Sequence, residues 1–175
     1  METQNAIRTR RSVRAFTQEP VAEADLKTLL QALTASASAG NVQPWAFVVV
    51  REPRRLAALR ALAPGIIGRP TAAIAICLDA GRAQRLGGPL GDRLAWIDIG
   101  LATQNLLLAA HDGGLGACPI GSFHPGAVAL FLELPPQVQP ILLVALGHPA
   151  QRPSPRDRRP LGEVAFTERW GQAYE

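Results

Sequence analysis

Three arginines and a serine fall within five residues near the start of the chain, Arg10-Arg11-Ser12-Val13-Arg14. A guanidinium is a planar, permanently charged fork of N–H donors that matches phosphate oxygens, and a serine hydroxyl adds a neutral donor. In an extended segment successive side chains alternate, so Arg10, Ser12 and Arg14 would share one face and Arg11 and Val13 the other. Such a face is a grip for the terminal phosphate of a small cofactor; the alternative reading is a solvated basic patch. A second stretch, Ala35-Ser36-Ala37-Ser38-Ala39-Gly40-Asn41, has no large side chain to pack and reads as a loop that something can approach closely. Cys77 and Cys118 sit in apolar surroundings without CxxC or Cys/His spacing, and His111, His124 and His148 are scattered. Neither a disulfide framework nor a metal site is expected from them.

The elements that must position these residues follow from the apolar pattern. Residues 3–9 read as a short helix leading into the arginine segment, and Pro20 breaks the backbone after it. Leu26, Leu29, Leu30 and Leu33 mark one face of a helix over 21–34. Trp45-Ala46-Phe47-Val48-Val49-Val50 is aromatic and β-branched, hence a buried strand. A helix over 53–63 and a strand over 71–78 follow. Residues 80–92, rich in glycine and arginine, read as a mobile excursion. The span 94–110 is apolar on most of its circumference, interrupted by Asp98, Gly100, Thr103, Gln104 and Asn105. A helix there must be buried nearly all round, which a domain of this size can hardly do alone; a subunit interface is the expected remedy. A short strand at 115–119, a turn at 120–123, a helix at 125–133 and a strand at 140–147 complete the pattern. The last stretch is polar and proline-rich but carries Phe166, Trp170 and Tyr174, as an arm does that packs on something else.

At 175 residues with 47% apolar and 18% charged residues, the chain is one globular domain with room for a sizeable core. The formal charge of +4 comes from arginine, with Lys27 the sole lysine. The arginines are dispersed and do not interleave with aromatics, so a nucleic-acid stripe is not expected, only a preference for anionic ligands. No basic n-region precedes an apolar stretch at the N-terminus and no uncharged apolar run reaches spanning length, so a cytoplasmic protein is expected.

The order of the motifs resembles the FMN-dependent nitroreductase family over nearly the whole chain. The arginine opening continues into Ala15-Phe16, and Ser38-Ala39-Gly40-Asn41-Val42-Gln43-Pro44-Trp45-Ala46-Phe47 precedes a strand. Asp98-Ile99-Gly100 with Gln104-Asn105-Leu106, Gly114-Leu115-Gly116, Ile120-Gly121, Ala145-Leu146-Gly147-His148-Pro149 and Arg158-Arg159-Pro160-Leu161 complete the likeness.

The resemblance implies an α+β fold with a central, mainly antiparallel sheet flanked by helices. It implies one domain over residues 1–175 and an obligate homodimer in which an arm, residues 150–175, crosses to the partner and FMN lies at the interface. Arg10 and Ser12 match the phosphate-binding pair, and Arg14 a basic residue reaching the ribityl chain or the pyrimidine edge. Arg11 is carried in the same set, with solvent or an acidic neighbour as its alternative. Ser38 and Asn41 match loop residues touching the flavin of the opposite subunit; Asn41 could otherwise cap a turn. Ile120 and Gly121 match a turn whose backbone N–H faces flavin N5, and Arg158 or Arg159 a late basic residue closing on the phosphate. No catalytic acid or base and no metal ligand is assigned. The implied reaction takes a hydride from NADH or NADPH onto flavin N5 and passes electrons to a small electron-poor acceptor such as a nitroaromatic or quinone. An azoline dehydrogenase, a flavin-fragmenting enzyme or a non-catalytic FMN-binding protein are the alternatives. Two departures stand out: Ala37 replaces a proline common in relatives, and the span between Asp79 and Leu94 leaves no room for the lid helices of larger members. Trp45, Asp98 and Cys118 are read as structural.

Overall fold

The residue patterning produces a three-layer arrangement around an antiparallel sheet, seen in a computed structural model that describes residues 1–151 and 153–174. Arg152, one of the dispersed arginines, and Glu175 lie outside the described residues. The elements in chain order are α1 (Thr3–Thr9), α2 (Glu23–Thr34), β1 (Trp45–Val50), α3 (Pro53–Leu62), β2 (Ala72–Asp79), α4 (Ala80–Gly87), α5 (Gly91–Asp112), β3 (Gly116–Ile120), α6 (Pro125–Phe131) and β4 (Val138–Gly147). The four strands run in the order β1-β2-β4-β3, each pair antiparallel.

Strand β2 sits inside the sheet and is buried on both faces, and its alternation sorts the two cores. Ile74, Ile76 and Leu78 pack with Leu26, Leu29 and Leu33 of α2 and Ile99 and Leu106 of α5. Ala73, Ala75 and Cys77 point the other way, toward Leu56 and Leu59 of α3 and Val128 of α6. Small residues on that side let those helices lie close. Two prolines within strands are accommodated in different ways. Pro119 lies in β3 at the sheet edge, where a strand can lack an N–H without interrupting an inner ladder, whereas Pro140 in β4 adjoins a register shift opposite Ile76 and Cys77.

The arginine segment continues this edge. Ser12 bridges Ala117 of β3 in parallel fashion, Val13 N donates to Ala117 O at 3.0 Å, and Phe16 bridges Pro149 beyond β4. Val13 and Phe16 are buried beneath it.

The expectation of a mobile excursion over residues 80–92 is corrected: this stretch begins with the regular helix α4, packed by buried Ala83. Its start is capped by Asp79, whose Oδ1 accepts from Arg82 N at 2.8 Å. An N-cap carboxylate satisfies a donor that the first turn would leave open, and that outweighs the low helix propensity of Gly81 and Gly87. The short span thus still forms a helix ahead of α5, though none of lid length.

Helix α5 buries Ala95, Asp98, Ile99, Ala102, Thr103, Leu106, Leu107 and Ala110. Trp96, Ile97 and Leu101 remain 55%, 55% and 46% exposed within the single chain. The arm after β4 adds Leu161, Val164, Trp170 and Tyr174 as further exposed apolar residues, with Phe166 against Trp170 at 4.5 Å between ring centroids. No helix among the described residues is long and apolar enough to cross a membrane.

Cys77 is fully enclosed, and burial pushes its thiol pKa up from 9.0 to about 11. The folded state therefore holds that proton where the unfolded chain releases it, so stability falls as pH rises from about 9 toward 11. Cys77→Ala should flatten this alkaline limb in pH-dependent chemical denaturation; an unchanged slope would exclude Cys77 as its source.

Candidate functional site

The site is built from the edge formed by β3 and the arginine segment. Pinning residues 12 and 13 to Ala117 brings Arg10, Ser12 and Arg14 to one neighbourhood. Cys118, the next residue on β3, lies behind them. Burial raises the pKa of its thiol, opposed by the Arg14 charge, a hydrogen bond from Ser12 and the Arg10 charge. A cavity of about 330 Å³ opens in front, lined by Ser12, Arg14, Ala15, Ile67, Gln151 and Pro153.

Arg10 is the most informative member. Its pKa is lowered by burial first, then by the neighbouring charges of Arg158 and Arg11. Its Nη1 is enclosed and has no hydrogen-bond partner, and no carboxylate pairs with Arg10 among the described residues. Convergent guanidiniums with an unsatisfied buried donor are a cost to the protein alone and are relieved by an anion bound among them. A phosphate monoester carries roughly two negative charges and three acceptor oxygens, which suits a cradle of several cations and a hydroxyl.

The late arginines separate. Arg158 lies near enough to Arg10 for its charge to be felt there, while Arg159 donates through Nε and Nη2 to Oε2 and the backbone carbonyl of Glu163 at 3.2 and 3.0 Å. Arg11 is committed elsewhere through one nitrogen, while its Nε is enclosed without a hydrogen-bond partner. Its Nη1 donates to the carbonyls of Arg8 and Arg10 at 2.7 and 2.8 Å, closing the end of α1, so neither solvent nor an acidic neighbour takes this donor.

Ser38 and Asn41 do not border that cavity. They belong to a tight turn in which Gly40, Asn41 and Gln43 have φ of 56°, 55° and 52°. Ser38 Oγ accepts from Gln43 N at 3.0 Å, and Asn41 Oδ1 accepts from Gln43 Nε2 at 3.0 Å. The turn is pinned at both ends by residues read as unremarkable or missed in the sequence. Buried Asp98 accepts from Ala39 N at 3.1 Å, and Arg82 Nε donates to Val42 O at 2.6 Å. Asp98 thus holds structure, and its signal was a lone carboxylate in an otherwise apolar helix face. Arg82 is held in the first turn of α4 by the Asp79 cap, which leaves its side chain free to reach this turn. This turn borders a second, smaller cavity of about 120 Å³, shared with Leu86 of α4 and Leu94 and Asp98 of α5.

Ile120 is buried at the end of β3, and Gly121 follows it on the surface. A Cβ built on Gly121 would meet nothing within 4 Å, so open space lies over this backbone.

Comparison with known proteins decides the family. The Nitroreductase family model matches residues 7–69 and 59–148. The chain belongs to the nitroreductase family. Among curated members of the nitroreductase family, a putative NADH dehydrogenase/NAD(P)H nitroreductase of Methanothermobacter thermautotrophicus is 33% identical over 165 residues, 90% of this chain and 82% of that one. An FMN reductase [NAD(P)H] of Bacillus subtilis is 30% identical over 174 residues, covering 90% of this chain and 70% of its own. The crystal structure of a putative NADH dehydrogenase/NAD(P)H nitroreductase from Parabacteroides distasonis superposes with a TM-score of 0.86 at 26% identity, covering 97% of this chain and 99% of that chain. The nitroreductase fold is therefore present over nearly its full length in a compact form, and the α+β reading with an antiparallel sheet holds.

Proposed function

We propose that this chain is an FMN-dependent NAD(P)H oxidoreductase acting as a homodimer. The observation that carries the reading is the enclosed, unpartnered Nη1 of Arg10 among converging guanidiniums, beside a cavity lined by Ser12 and Arg14. These residues fit the phosphate end of FMN, and the open backbone at Gly121 fits a flat ring laid over it. The names of the relatives, an FMN reductase and NAD(P)H nitroreductases, support the same chemistry.

Each residue then has a task. Arg10 and Arg158 neutralise the phosphate, and Ser12 donates a hydrogen bond to it. Arg14 reaches the ribityl chain or the pyrimidine edge, where a positive charge favours an anionic reduced ring. Ile120 supports the turn and Gly121 lets a backbone donor approach without a side chain in the way. Ser38 and Asn41, held away from the cavity in their own chain, serve the flavin of the partner. When bound, FMN supplies the redox chemistry, taking reducing equivalents from NADH or NADPH and delivering them to a small electron-poor acceptor such as a nitroaromatic or quinone. No side chain is given an acid or base role. The arm over residues 150–175 and the exposed face of α5 form the partner contacts, and the protein works in the cytoplasm.

An absorption spectrum of the purified protein, taken before and after anaerobic addition of NADH or NADPH, tests the reading. Flavin bands that bleach with reductant are expected. Bands that persist would leave a binding protein rather than a reductase, and a protein that neither carries nor takes up FMN would overturn the assignment.

A further inference from the structure

The arginine segment lies on a surface stripped of side chains. Gly116 of β3 and Gly147 of β4 are direct partners across the sheet, so a Cβ on either would point to the same face. Built there, the Cβ of Gly116 would stand 2.7 Å from Val13 Cγ1 and 2.8 Å from Val13 Cβ, and that of Gly147 2.9 Å from Phe16 Cδ1 and 3.2 Å from Phe16 Cβ. From the loop before β2, Gly68, at φ +82°, lies so that a Cβ would run into the carbonyl oxygen of Arg14. Glycines from three separate parts of the fold thus meet residues 13, 14 and 16 in turn.

The backbone is fixed along the same stretch by Val13 N to Ala117 O at 3.0 Å, Ala150 N to Ala15 O at 3.0 Å and Thr17 N to His148 O at 2.8 Å. A side chain at the end of a flexible stem could turn away from a new methyl group. Val13 Cβ and Arg14 O cannot, because their positions are set by the backbone itself. A Cβ added at Gly116 or Gly68 therefore demands a backbone shift, and the segment that carries Ser12 and Arg14 is one of the two facing pieces that can give.

We propose that Gly116, Gly147 and Gly68 are positioning residues that set the phosphate grip and with it the preference for a flavin mononucleotide over the unphosphorylated flavin. The inference rests on the FMN reading above. It assigns to the glycines the geometry that the arginines alone do not supply: a charge-assisted donor shifted by a few tenths of an ångström keeps its charge but loses its alignment.

The test is a pair of titrations of the full-length apoprotein with FMN and with riboflavin, followed by quenching of flavin fluorescence. In the unchanged protein FMN should bind far more tightly than riboflavin. Gly116→Ala should lower that ratio by about tenfold or more, because Val13, which the new methyl group meets, adjoins Ser12 on the phosphate, whereas riboflavin, which keeps only the Arg14 contact, should lose less. Val13→Gly together with Gly116→Ala, which removes the atoms that the methyl group meets, should return most of the ratio. Gly116→Ala that folds and keeps the ratio, or weakens both ligands equally, overturns the inference. If that variant does not fold, the double variant decides. Folding with the ratio restored supports positioning, whereas folding without it, or no folding, overturns it. An unchanged protein that does not distinguish FMN from riboflavin would remove the FMN reading itself and the inference with it.

Discussion

Arg10→Ala is expected to weaken FMN by roughly 10- to 100-fold and riboflavin hardly at all, since a hydrogen bond to a charged group contributes about 1.5–3 kcal/mol. The reasoning runs through the enclosure of Arg10. Its Nη1 is shielded from water and unpartnered, with Arg158 and Arg11 raising the local positive potential. A phosphate there gains contacts with a donor that has no competing partner, and the ring end of the flavin does not share in them. Arg10→Lys should fall between the two, because an ammonium keeps the charge without the planar fork. Fluorescence titration with both flavins measures the effect. Equal losses for FMN and riboflavin would show that Arg10 supports the fold rather than the phosphate.

Leu101→Asp should separate the subunits and release the flavin in one step. Leu101 lies one turn from Ile97 on the outer side of α5 and is about half exposed in the single chain. A central interface residue typically contributes about 2 kcal/mol, and a two-fold axis counts it in both copies, so the dimer dissociation constant should rise by roughly a thousandfold. Sedimentation at micromolar concentration, with flavin absorbance read alongside protein, follows both events together. A monomer that retains flavin would end the proposal that Ser38 and Asn41 serve the partner's cofactor. An intact dimer would move the interface away from α5.

Much of this was legible in the residue order. The β-branched run after Trp45 and the leucine spacing of α2 each contain their own structural instruction, and both elements lie where expected. The mismatch between the apolar circumference of α5 and the size of one domain also reads directly, and its exposed tryptophan, isoleucine and leucine express it. Alternation placed Val13 opposite Ser12, and Val13 is indeed the buried residue of the pair.

What was not legible depends on partners distant in sequence. The glycines around 80–92 suggested mobility, yet one carboxylate, Asp79, starts a helix there. Nothing near Arg11 or Arg159 shows that the first closes α1 and the second grips Glu163, since both bonds are made to backbone carbonyls or a turn that forms only on folding. Cys118 gave no sign of standing behind Ser12, because that contact follows from a bridge between residues 12 and 117.

The docking of the arginine segment also governs when the protein can first hold its ligand. Residues 10–14 leave the ribosome well before β3, β4 and the turn beyond it, the parts of the chain whose surfaces they lie on. Contacts of such long sequence separation form late and slowly, because the intervening chain must be ordered first. A nascent chain therefore carries its arginines without a place to set them, and cofactor loading becomes a closing event of biogenesis. Premature termination between β2 and β4 would yield a cofactor-free fragment with an unpaired β2 edge, the kind of species that chaperones and proteases remove.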